Sequence, residues 1–175
     1  MRNRTSQGRV SPHRKASQLI TKTHFSDLAE LMVAASQAPR QRTHRNLHPS
    51  LDSNVQRLFI ATQPDTYMRP HRHPQAHKWE MLMLVQGELD LLIFDDAGRL
   101  IERVEMSPSS TRVVEIPPGT WHGYVCRSPQ TLALEIKEGA YLPTEPEDFA
   151  PWSPAEGSPE APAYLQKMRT AQVAS

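Results

Sequence analysis

The sequence predicts an all-β fold, a closed barrel or double-sheet jelly roll, with a short helix ahead of it and an irregular tail behind. Between Val55 and Lys137 run eight short segments of strand-like composition, punctuated by Gly, Pro and Asp. The gaps between them are too short for the crossover helices that a parallel sheet requires. At 175 residues the chain is long enough for one domain with a sizeable core.

Residues 1–18 are polar and basic, with few groups able to anchor them, and disorder is expected there. Residues 19–165 are expected to form the single domain with its packed extensions, and 166–175 a C-terminal tail. Thr23 to Ala38 predicts an amphipathic helix. Phe25, Leu28, Leu31, Met32 and Ala35 fall at helical spacing, Asp27 and Glu30 lie near the start, and Pro39 ends it. Arg40 to Pro49 (RQRTHRNLHP) lacks any such period and reads as a polar connection.

Strands follow. Val55–Ala61 and Thr66–His71 flank the turn-like Gln63-Pro64-Asp65. Lys78–Gln86 stops at Gly87, and Glu88–Phe94 runs into Asp95-Asp96-Ala97-Gly98, a hairpin turn. Leu100–Met106, Arg112–Ile116, Trp121–Cys126 and Thr131–Lys137 complete the set. From Leu142 six prolines by Pro162 break up any period, while Phe149, Trp152, Tyr164 and Leu165 can fasten the tail to the barrel.

Charge and cysteine content narrow the function classes. The formal charge is +1, with nine basic against two acidic residues in 1–48 and six acidic against two basic in 138–175. No aromatic interleaving or recognition motif accompanies the basic end, so no nucleic-acid partner is expected. Cys126 is the single cysteine, which excludes an intrachain disulfide and fits a reducing compartment. No apolar signal core is visible, nor a run of the roughly 18–20 apolar residues a membrane span needs. A cytoplasmic protein without membrane attachment is expected.

The chemistry concentrates in HRHPQAHKWE, His71 to Glu80. Residues two apart on a strand share a face, so His71 and His73 present two imidazoles together. In the next strand Glu80, Leu82 and Leu84 share one side and Trp79, Met81, Met83 and Val85 the other. A carboxylate heading an apolar interior row needs a partner, and a divalent cation would provide it. IPPGTWH, Ile116 to His122, adds a third imidazole after a proline–glycine turn. A metal-free, hydrogen-bonded pocket is the alternative. His77 is open to three roles: a competing ligand, an acid–base group facing substrate, or a loop-structuring residue.

His71-x-His73, Glu80, Gly87 and Pro117-x-Gly119-x-x-His122 resemble the two paired motifs of the cupin superfamily. Six residues separate His73 from Glu80, a longer spacing than the common form, and Cys126 stands where asparagine is frequent. A closer resemblance is to the WbuC family of cupin metalloproteins. It is carried by HRNLH (44–48), VQRLFIA (55–61), RPHRHP (69–74), HKWE (77–80), VVEIPPGTWH (113–122), LEIKEG (134–139) and DFAPW (148–152). The resemblance implies a cupin double-stranded β-helix and one divalent transition metal per chain, held by His71, His73, Glu80 and His122. Zinc, iron, nickel, cobalt and manganese all suit those donors.

The resemblance also implies a small-molecule ligand, carbohydrate or anionic, in polysaccharide biosynthesis, and a homodimer. Arg42, His44, Asn46 and His48 offer one rim for such a ligand, with Tyr67, Arg69 and Lys137 near the barrel mouth. Three functions stay open: isomerase-like proton transfer with His77 as catalytic residue, iron-dependent oxygenation, and a non-catalytic sugar-binding or regulatory module. Cys126 shares strand parity with His122 and is expected to be a small buried thiol.

Overall fold

A computed structural model describes residues 20–174, so the N-terminal segment 1–18, expected to be disordered, lies outside the described residues. Helix α1 (Phe25–Gln37) precedes eight strands: β1 (Arg42–Asn46), β2 (Val55–Thr62), β3 (Glu80–Gln86), β4 (Leu89–Phe94), β5 (Leu100–Met106), β6 (Val113–Ile116), β7 (Trp121–Cys126) and β8 (Thr131–Glu138). Helix α2 (Ala161–Thr170) follows. The strands form two antiparallel sheets, β1-β2-β8-β3-β6 and β5-β4-β7, stacked as a jelly roll.

The core between the sheets draws Leu82 and Leu84 from β3, Leu89 and Leu91 from β4, Ile116, Tyr124, Cys126 and Ala133. Strand β7 is buried at all six positions. Its even-numbered residues face that core, while Trp121 and Val125 face a second cluster formed with Tyr67, Leu92, Leu165 and Met168. Strands β4 and β7 are thus covered on both faces, which explains why they lack clean apolar/polar alternation. Helix α1 covers the other sheet through Met32 and Ala35 against Ala61 and Leu132.

Three expectations need correction. Residues 42–46, expected as a polar connection, form edge strand β1, held by pairing from Arg42↔Thr62 to Asn46↔Leu58. Thr66–His71 is not a strand. It is an extended strap that makes only isolated bridges, His71 to His122 and His71 to Phe149. The tail is less irregular than expected: Ala161, Leu165 and Met168 recur at helical spacing and bury one side of α2.

Candidate metal centre

The strap meets the starts of β3 and β7, and four donor side chains converge there. One ligand atom from each of His71, His73, Glu80 and His122 lies within 4.8 Å of the others. Backbone pairing sets this up. His71 and His122 exchange N–H to carbonyl bonds of 2.9 Å each, and Gly119 N–H donates to His73 O at 2.7 Å. Gly119 has φ +77°, a conformation glycine adopts without strain, so the Pro-Pro-Gly turn can aim its N–H at the strap. The two predicted motifs are therefore stitched together by main chain.

The second ring nitrogen orients two imidazoles. His71 Nδ1 lies 3.0 Å from Arg69 O, and His122 Nδ1 lies 2.9 Å from Thr120 O. A carbonyl only accepts, so each Nδ1 carries a proton and each Nε2 turns to the centre, the arrangement metal-ligating histidines use. His122 Nε2 stands 2.9 Å from Glu80 Oε2. His73 Nε2 stands 3.1 Å from Glu80 Oε1, yet it forms no hydrogen bond of acceptable geometry and is buried. Three nitrogen donors and a carboxylate crowded this closely fit a divalent ion, and the orphaned His73 nitrogen is the atom such an ion would satisfy.

Electrostatics point the same way. Burial pushes the Glu80 carboxyl up, but Lys137 and the His122 imidazole beside it outweigh burial and hold it well below the usual carboxylate range. Burial, then repulsion from His122, pushes His71 down to about 3. Burial also opposes charge on His122, but hydrogen bonding to Glu80 wins and raises it. Without a cation, an ionised Glu80 faces a His122 whose protonated form it favours, beside a neutral His71. A bound metal would take the place of the His122 proton.

Lys137 Nζ bridges Glu80 Oε1 at 3.0 Å and Glu135 Oε1 at 2.6 Å. Burial disfavours its charge, but the two flanking carboxylates overcome that and keep it an ammonium.

A cavity of about 290 Å³ reaches His71, Glu80 and His122. Of the residues expected at its rim, Arg42, His44, Arg69 and Lys137 line it. Asn46 is exposed beyond it. His48 is buried, with Nδ1 at the Arg57 backbone. Tyr67 is buried outside the sheets and donates its hydroxyl to Pro154 O at 3.0 Å. His77 is exposed beside Gly139, outside the cavity lining and the four-residue cluster. Cys126 is buried as expected, and burial pushes its thiol up to about 11.

The lining residues that escaped the sequence reading include Arg40, Tyr124, Glu135 and Glu156. Glu135 shares strand parity with Lys137, and Tyr124 with His122; those signals were available. Glu156, which pairs with Arg40 and Arg42, comes from the proline-rich tail, where no periodicity marks it.

Fold and ligand placement together define a two-sheet jelly roll with a group of four residues able to hold a metal ion. Residues 23–106 match the family model described as "Domain of unknown function (DUF6016)", a span that includes His71, His73 and Glu80 but not His122. No curated protein matches the chain. Among solved structures, KdgF from Halomonas sp. is similar over 59% of this chain and 83% of its own, at 18% identity and TM-score 0.47. An oxalate oxidase in complex with the substrate analogue glycolate is similar over 60% of this chain and 54% of its own, at 16% identity and TM-score 0.46. Oxalate decarboxylase from Bacillus subtilis is similar over 57% and 25%, at 14% identity and TM-score 0.42. The chain thus spans about half of the oxidase chain and a quarter of the decarboxylase chain. Among the described residues no helix is long and apolar enough to cross a membrane.

Proposed function

We propose that the protein is a divalent-metal-dependent enzyme acting on a small anionic carbohydrate derivative, in an isomerase-like proton transfer next to a carbonyl. The observation that carries this is that four donors converge and three of them, His71, Glu80 and His122, sit in the wall of a ligand-sized cavity. When bound, the ion supplies Lewis-acid polarisation of a ligand oxygen. Lys137 holds Glu80 ionised and oriented toward the three imidazoles. Arg69 supplies charge for an anion: it bonds Ser153 Oγ and Ala150 O, stacks on Phe149, and has no carboxylate partner among the described residues.

The carbohydrate class is supported by the WbuC-like motifs alone. A part for His77 requires the 74–79 loop to fold over the cavity. Half-buried Met81 and Met83 with exposed Val85 support a homodimer through the outer face of β3.

The test is to strip the protein with chelator and reload it separately with Zn, Fe, Ni, Co or Mn. Each form is then incubated with sugar phosphates, nucleotide sugars and sugar acids in D2O, and deuterium incorporation is followed by NMR. Exchange with one metal, abolished by chelator, is the expected result. Binding without exchange for every metal overturns the proposal in favour of a sugar-binding module. Iron-dependent oxygen consumption instead assigns an oxygenase.

A further inference from the structure

Tyr124 presents a chemical demand that the protein itself leaves unmet. It lies two residues beyond His122 on β7, so both side chains project into the same interior, and both line the cavity. The residue is only 7% exposed, and its hydroxyl has no hydrogen-bond partner. Its neighbours in the core are apolar: Leu82, Leu91, Ile116 and partly buried Met68. A phenylalanine would fill that space without an orphaned polar group, and nearly all buried hydroxyls find partners.

The charge around the cavity indicates what kind of partner is missing. Arg40, Arg42, Arg69 and Lys137 line it against Glu80, Glu135 and Glu156, four positive groups to three negative. The surplus lies on the arginines. Lys137 is shared by two carboxylates, whereas Arg40 and Arg42 share one, Glu156, and Arg69 has none among the described residues.

We infer that the Tyr124 hydroxyl is a positioning residue that donates a hydrogen bond to an oxygen of an oxyanion-bearing small molecule, whose charge is met by the arginine side of the cavity. The inference rests on the cavity being a ligand site, as proposed above. It adds the donor that fixes the ligand's register and the requirement for an anionic group.

The test compares zinc-loaded wild type with Y124F by calorimetric titration of gluconate, glucose 6-phosphate and neutral glucose. The first two distinguish a carboxylate from a phosphate requirement. Wild type should bind at least one anionic probe more tightly than glucose. Y124F should weaken that binding about tenfold, the worth of a buried hydrogen bond to a charged acceptor. Zinc content should be unchanged, and Tm unchanged or raised, because only an unpaired hydroxyl is lost. Equal affinity in both proteins, or no preference for either anion over glucose, overturns the inference. Failure of wild type to retain zinc is a separate outcome that removes zinc from the metal-enzyme proposal, and titrating the zinc-free pair then decides the Tyr124 role on its own.

Discussion

Replacing Glu80 by glutamine isolates the charge at the heart of the centre while keeping its size. The carboxylate faces His122 Nε2 at 2.9 Å, Lys137 Nζ at 3.0 Å and His73 Nε2 at 3.1 Å. In metal-free E80Q no charge is stranded, because Lys137 keeps Glu135 at 2.6 Å and His122 can release its proton. The loss of stability is then about 1–2 kcal/mol. Metal binding suffers more: removing one partner of a buried charge pair costs about 3–5 kcal/mol, or roughly two to four orders of magnitude in affinity. With zinc at about 1,000 times its Kd, wild type gains about 4.1 kcal/mol, which raises Tm by about 8–16 °C for a chain of this size. At the same zinc concentration a thousandfold weaker E80Q gains about 0.4 kcal/mol, a shift below about 2 °C. Scanning calorimetry of chelated protein with and without zinc reads both values. An equal zinc-dependent shift in the two proteins refutes the place of Glu80 among the ligands.

His122 gives zinc uptake a pH signature. Its pKa is raised in the metal-free fold, so at pH 6 the ion must displace a proton, and affinity should climb about tenfold per pH unit until that group is neutral. Calorimetry in two buffers of different ionisation enthalpy should show about one proton released at pH 6 and fewer at pH 9; a pH-independent count contradicts the assignment. His77→Ala should leave zinc stoichiometry and affinity unchanged by elemental analysis and titration, and loss of the metal would place His77 in the ligand set. Gly87→Ala should lower Tm by about 4–16 °C through a cost of about 2–4 kcal/mol. Gly87 has φ +82°, and an added Cβ would come within 2.6 Å of Thr131 Oγ1 and 2.8 Å of Thr131 Cα. Unchanged melting would contradict that crowding.

The seven strands from β2 to β8 were legible because their apolar runs and their Gly and Pro breaks are local signals. So was the gathering of the four candidate donors, through the motifs His71–Glu80 and Ile116–His122, although strand parity applies only to Glu80 and His122, the two that lie on strands. β1 was not legible: RTHRN has no apolar alternation, and only its pairing with β2 makes it a strand. Thr66–His71 failed in the opposite sense. Its β-like composition suited extended backbone, but it pairs only through His71, with β7 and the segment at Phe149. Helix α2 was obscured by prolines, although Pro162 sits in its first turn, where a missing N–H costs nothing. The Arg40–Glu156–Arg42 cluster joins positions more than a hundred residues apart, and no short-range pattern encodes that.

The strap bearing His71 and His73 is gripped from two sides by residues made much later. One grip is the His71–His122 backbone pair, and the other is Arg72 N–H to Asp148 O and Ala150 N–H to Pro70 O, each 2.9 Å. A ribosome that has just produced the first imidazoles must therefore add nearly eighty more residues before their scaffold is complete. Loading of an ion would then have to follow synthesis of that segment, and a truncation between His122 and Ala150 would yield a chain carrying all four donors but poorly equipped to aim them.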